Sequence, residues 1–142
     1  MDIKKAREDL RKGKTIYDMP LRVVYYARVS TDKDDQLNSL ENQRNYFEEM
    51  ITENKNWVFC GGYIDEGISG TAVKNRDKFL KMIEDATLGK IDMIVTKEIS
   101  RFSRNTVDSI KYTEYLLKQG VIVYFLSDNL NTIQEDSEFR LT

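Results

Sequence analysis

Apolar positions along the chain fall into short, nearly continuous runs, separated by longer segments in which they recur every third or fourth residue. The first run, Leu21 to Thr31 (LRVVYYARVST), is apolar or β-branched almost without a break and predicts a strand covered on both faces. A helix follows through SLENQRNYFEEMI, with Leu40, Phe47, Met50 and Ile51 on its apolar side and Asn38 with Glu41 as a capping box. Trp57 to Ile64 predicts a second strand. Phe79, Met82, Ile83 and Ala86 then share the face of a helix that Asn75 or Asp77 starts and Gly89 stops. Ile91 to Thr96 gives a third strand, and Thr106 or Asp108 begins a helix through Val107, Ile110, Leu116 and Leu117 to Gly120. Val121 to Leu126 gives a fourth. This alternation predicts an α/β domain with a mainly parallel central sheet of four to five strands, helices on both faces and right-handed crossovers. Residues 1–20 read as an extension: Ile3, Ala6 and Leu10 at helical spacing predict a short amphipathic helix or flexible arm on the surface, ended by Met19-Pro20.

Composition narrows the chemistry. At 142 residues the chain fits one domain. It has no histidine, which removes Ser-His-Asp and Cys-His catalysis and the usual zinc sites. Its single cysteine, Cys60 in WVFCGGYI, is expected to be a small core residue. The acidic stretch TDKDDQLN lacks the glycine turn and closing Glu of a calcium loop and reads as a solvated loop. A net charge of −2 argues against coating nucleic acid through a broad basic surface, but leaves room for a local arginine pocket. Neither a membrane-spanning run nor a signal peptide is apparent, so a cytoplasmic protein is expected.

Arg28 interrupts the first strand. A guanidinium cannot shed its charge to escape burial, so it needs an anion close by. Strand alternation puts Arg28 and Ser30 on one side, at the strand end where open α/β sheets bind ligands. Taken alone, such a pair is more often an ion-pair half and a turn residue. Other segments add weight. Arg101 and Arg104, in KEISRFSRNT, are three apart and sit between a strand end and a helix start, a natural anion site. The crossovers bring the ends of the first and third strands to one edge, with Ser69 and Arg76 in the loop above and Gln43 one turn into the first helix. A serine ringed by arginines, without histidine, metal motif or Walker loop, points to phosphoryl transfer driven by charge stabilisation.

YARVST, SLENQ, DEGISGT with a later arginine, KEISRFSRN and GVIVYFLSDN, in that order and spacing, resemble the catalytic domain of the serine recombinases, the resolvase/invertase family, and most closely its large members. The resemblance covers residues 21–135 as the catalytic domain, leaves 1–20 outside, and makes 136–142 the start of a C-terminal helix that here is cut short. It implies that Ser30 attacks a DNA phosphodiester to give a covalent 5′-phosphoserine link, followed by strand exchange and rejoining without ATP, metal or other cofactor. Arg28, Arg76, Arg101 and Arg104 match the arginines that hold the phosphate, and Gln43, Asp65 and Ser69 match positions that support the pocket. Double-stranded DNA is the implied partner, with dimers pairing into tetramers in the full-length protein. The implied setting is the cytoplasm of a bacterium, with the gene bacterial or phage-borne. A fragment of this kind is expected to bind DNA weakly and to be inactive alone.

One departure touches the chemistry. Where small resolvases carry an aspartate before the first arginine of the third motif, this chain has Ser100. Asp65 is the nearest replacement for a proton acceptor, and an arginine acting as proton donor to the leaving oxygen is the other option. Two different readings stand beside the recombinase: a phosphatase or small phosphotransferase using the same pocket, and a non-enzymatic regulatory module on a receiver-like scaffold.

Overall fold

The computed structural model describes residues 1–30, 36–67, 76–97 and 106–134. Its sheet has five strands: β1 (Leu21–Ser30), β2 (Trp57–Gly67), β3 (Met93–Thr96), β4 (Ile122–Phe125) and β5 (Leu130–Asn131), in the spatial order β2-β1-β3-β4-β5. β1 to β4 run parallel and β5 returns antiparallel beside β4. The helices are α1 (Ile3–Arg11), α2 (Gln36–Glu53), α3 (Asp77–Thr87) and α4 (Thr106–Lys118).

Alternation along the strands divides the core into two layers. Leu21, Val23, Tyr25 and Ala27 of β1, Met93 and Val95 of β3, and Ile122 and Tyr124 of β4 pack in one. Val24, Tyr26, Ile94, Val123 and Phe125 pack in the other. α2 covers the first layer through Phe47 and Ile51, while α3 (Phe79, Met82, Ala86) and α4 (Leu116) cover the second. The chain steps from β1 outward to β2, then back across β1 to β3 and on to β4. With right-handed crossovers, that reversal leaves α2, among the described residues, as the one crossover helix on its face. The open half of that face, over β3 and β4, is filled by the N-terminal segment, whose Ala6, Ile16 and Met19 are buried there.

That segment is tied down along its length. The Asp2 carboxylate caps α1 by accepting from the Lys4 and Lys5 N–H groups at 3.0 and 3.3 Å. α1 ends at Arg11, well before the expected Met19-Pro20 stop, because Gly13 takes a left-handed φ of 93° and a one-turn 3₁₀ helix at Ile16–Asp18 follows. The Trp57 indole donates to the Ile16 carbonyl at 3.0 Å, and the Tyr17 ring stacks on that indole with centroids 5.4 Å apart. Asn54 and Asn56 both donate to the Tyr17 carbonyl, and the Tyr17 and Tyr124 hydroxyls are hydrogen-bonded to each other.

Several sequence expectations shift. β2 runs three residues past Ile64, which brings Asp65 into the strand. α2 already includes Asn38, so that residue lies inside the first turn and not at the cap. Ile110 is exposed, and α4 anchors instead through Leu116 and Leu117. Cys60 is exposed rather than in the core. The cause is its strand: β2 is an edge, and Val58 and Cys60 point away from the α2 layer toward which Trp57 and Phe59 turn, and stay exposed.

Candidate functional site

A kink in β2 builds the site. Gly61 adopts φ 115°, and the β1–β2 pairing slips by one residue between Val23 and Tyr25. Such a bulge inserts one residue and reverses the facing of everything after it. Trp57 and Phe59 pack with α2, but beyond the bulge Tyr63 packs in the layer of α3, and Ile64 takes over the α2 side. Asp65 follows Tyr63 to the α3 side. In the restored register Arg28 stands opposite Asp65, and Ser30, the last residue of β1, opposite Gly67.

Asp65 is 1 % exposed, and its charge is met by three donors. The Tyr26 hydroxyl donates to it at 2.8 Å, and the backbone N–H groups of Lys78 and Phe79 at 2.9 and 3.1 Å. Lys78 and Phe79 occupy the first turn of α3, so the carboxylate performs the capping that the N-cap residue, Arg76, does not perform with its own side chain. It also meets the positive end of the helix dipole. Freed from capping, the Arg76 guanidinium lies 3.9 Å over the Phe79 ring.

Electrostatics locate the rest. Burial pushes the Tyr26 phenol well above its ordinary range, helped by its bond to Asp65 and that carboxylate's charge, while the Arg76 and Arg28 guanidiniums pull it back. Both arginines are therefore close enough to act on the same hydroxyl. Tyr63, which donates to Asp85 at 2.6 Å, and Tyr124, bonded to Tyr17, are raised for the same first reason, burial. A phenol whose folded pKa lies above its unfolded value, about 10, stabilises the fold fully below that pH and loses this contribution as the pH climbs through the folded value. Burial raises Tyr25 as well, so in an absorbance titration four of the eight tyrosines should ionise only together with alkaline unfolding; all eight ionising reversibly near pH 10 would contradict the burial described.

The structure thus gathers Arg28, Asp65 and Arg76 beside the end of β1, and adds Tyr26, which sequence reasoning passed over as one more apolar strand residue. Gln43 comes from a different element. It belongs to α2 on the other layer, where it lines a cleft of about 360 Å³ with Asn42, Tyr46, Phe47, Lys97, Leu126 and Ser127. That cleft is still at the carboxyl ends of β3 and β4, the edge at which α/β sheets bind ligands. Ser69, Arg101 and Arg104 lie outside the described residues. Among the described residues, no group of three or more histidine, cysteine or carboxylate side chains is placed to hold a metal ion, and no helix is long and apolar enough to cross a membrane.

Comparison with known proteins gives a consistent pattern. Residues 23–142 match the family model for the resolvase N-terminal domain. A resolvase family site-specific recombinase from Streptococcus pneumoniae is similar over 85 % of this chain and 88 % of its own, at 26 % identity and a TM-score of 0.67. The C-terminal catalytic domain of ISC1926 TnpA, an IS607-like serine recombinase, is similar over 74 % of this chain and 68 % of its own, at 25 % identity and a TM-score of 0.59. The N-terminal catalytic domain of TP901-1 integrase shares the fold over 84 % of this chain and 96 % of its own, at 20 % identity and a TM-score of 0.53. No curated protein matches the sequence.

Proposed function

Because this chain belongs to the resolvase family, whose model spans residues 23–142 and whose relatives of known structure are serine recombinases, we propose that it cuts and rejoins double-stranded DNA through Ser30. The observation that carries this reading is the pairing of Arg28 with Asp65 two residues before Ser30, with Arg76 at the N-cap of the helix whose first turn that carboxylate caps. Ser30 Oγ loses its proton and attacks the phosphorus. The bond from Oγ to phosphorus forms as the bond from phosphorus to O3′ breaks, and O3′ leaves as a protonated hydroxyl. A phosphate ester replaces a phosphate ester, so the link can be reversed onto a new 3′-hydroxyl without an energy source.

The arginines supply the catalysis. Negative charge grows on the attacking and leaving oxygens, and each well-aimed donor is worth roughly 3–4 kcal/mol of barrier. Arg28 and Arg76 serve from the β1–β2 side, and Arg101 and Arg104 from the segment that joins β3 to α4. Gln43 and Ser69 support the pocket. With three donors already on its oxygens, Asp65 acts through Arg76 and the end of β2 rather than as the proton acceptor. Strand exchange calls for two DNA duplexes, which we take to be held by dimers that pair as tetramers.

A nicked duplex that traps the covalent intermediate tests this in the protein that carries the domain. The unaltered protein should give a DNA adduct that survives denaturation, and Ser30→Ala should give none while still binding the duplex. An adduct undiminished by Ser30→Ala would reject the assignment. Steady release of phosphate from small esters without any adduct would favour a phosphatase.

A further inference from the structure

The cleft on the α2 side of the carboxyl edge shares Gln43 with the pocket just described, and its other lining residues are groups that recognise a nucleotide. Its floor is rigid. The pairing of β3 with β4 continues past both strands, the Leu126 N–H donating to the Thr96 carbonyl and the Ser127 N–H to the Lys97 carbonyl, each at 2.9 Å. Thr96 is itself pinned to β1, its hydroxyl donating to the Tyr26 carbonyl at 3.0 Å. Lys97 therefore offers an exposed ammonium from a fixed backbone position. The opposite wall is α2, which presents the Asn42 and Gln43 amides and the ring of Tyr46, 58 % exposed and lying edge-on to the buried Phe47.

We propose that this cleft takes one nucleotide of the DNA strand, its base against Tyr46 with edge contacts to the Asn42 and Gln43 amides, and its phosphate on Lys97. Three features favour this occupant. A volume of about 360 Å³ is at the small end for ligand pockets and suits a single nucleotide unit rather than a duplex. An aromatic face beside amides and one cation is the combination by which proteins hold single-stranded nucleic acid, where stacking and a phosphate contact act together. The distance also fits. Tyr25 is level with Val95, so Lys97 is level with Ala27 on the neighbouring strand, and Ser30 lies three residues further on. At about 3.3 Å per strand residue that is roughly 10 Å, or about three steps of a DNA strand rising 3.4 Å each. A strand whose phosphate reaches Ser30, the last residue of β1, would set a nearby nucleotide, unstacked from its duplex, into the cleft.

The proposal rests on the recombinase reading, and its test separates the two. The 142-residue chain is titrated with a single-stranded thymidine tetranucleotide while backbone amide resonances are followed, and the titration is repeated with Lys97→Gln and Tyr46→Ala. Both side chains are exposed, so both variants should melt like the parent. Shifts are expected at Asn42, Lys97 and Ser127. Tyr46→Ala should weaken binding by roughly tenfold or more, as loss of one stacked base does. Lys97→Gln should weaken it and flatten the salt dependence by about one ion. Shifts elsewhere, no shifts, or affinities indifferent to both variants would overturn the nucleotide site whether or not Ser30 forms its adduct. Shifts at the cleft with no adduct at Ser30 would keep the site and dismiss the recombinase reading.

Discussion

Replacing Asp65 with alanine should cost about 3–5 kcal/mol of stability, a large part of the 5–15 kcal/mol that holds a typical domain together. The carboxylate is the shared acceptor of three donors, so its loss strands the Tyr26 hydroxyl and the Lys78 and Phe79 N–H groups at a site almost closed to water. Each buried polar group left without a partner costs roughly 1–3 kcal/mol, and loss of an N-cap alone about 1. Tyr26→Phe removes one donor and leaves the carboxylate its two backbone partners, so it should cost about 1 kcal/mol. Urea unfolding of the two single variants and the double variant would measure the coupling. A loss under about 1 kcal/mol for Asp65→Ala would mean that α3 finds another cap. On the recombinase reading the same change should also slow DNA cleavage, since the turn that sets Arg76 would fray.

Much of this was readable beforehand because burial on both faces leaves a plain mark. The runs at Leu21, Ile91 and Val121 each became a parallel strand, and the apolar positions Phe47, Ile51, Phe79, Met82, Ala86 and Leu116 became the helix anchors. Arg28 and Arg76 were legible as charges beside strand and helix ends. What escaped was whatever a one-residue slip controls. No periodicity announces that Gly61 and not Gly62 carries the bulge, so neither the extension of β2 to Gly67 nor the inward turn of Asp65 was visible. Tyr26 looked like its neighbour Tyr25, though one ring stacks on Phe47 while the other spends its hydroxyl on a carboxylate. Cys60 looked buried because its flanks are apolar, a pattern that cannot tell an edge strand from a central one.

Removing residues 1–20 should have the second large effect, and of a different kind. Deleting the segment discards the conformational cost of ordering it as well as its contacts, so the net change is smaller than its buried area suggests. What it leaves behind is the difficulty. Met93, Val95, Ile122 and Tyr124 would face water as one apolar patch on a sheet, and Trp57 would lose the ring stacked on it and the carbonyl it donates to. Patches of that kind drive self-association. The truncated chain is expected to bind an apolar dye more strongly than the intact chain and to elute at a higher apparent mass. A truncated chain that stays monomeric, with unaltered melting, would show that α1 and Tyr17 are ornamental to the fold. The family match begins at residue 23, so the cover examined by this deletion lies outside the part this chain shares with the resolvase domain.

The inserted residue at Gly61 also governs which side chain Arg28 meets across the ladder. Ile64, Asp65 and Glu66 follow one another, the first packed in the α2 layer, the second closed in and the third facing solvent. A register counted on from Val23 opposite Phe59 without that residue would set Arg28 against Ile64, and any role assigned at that position would land on the wrong side of the sheet. Pairing by strand register, with Arg28 set against Asp65, removes the ambiguity before a single substitution is chosen.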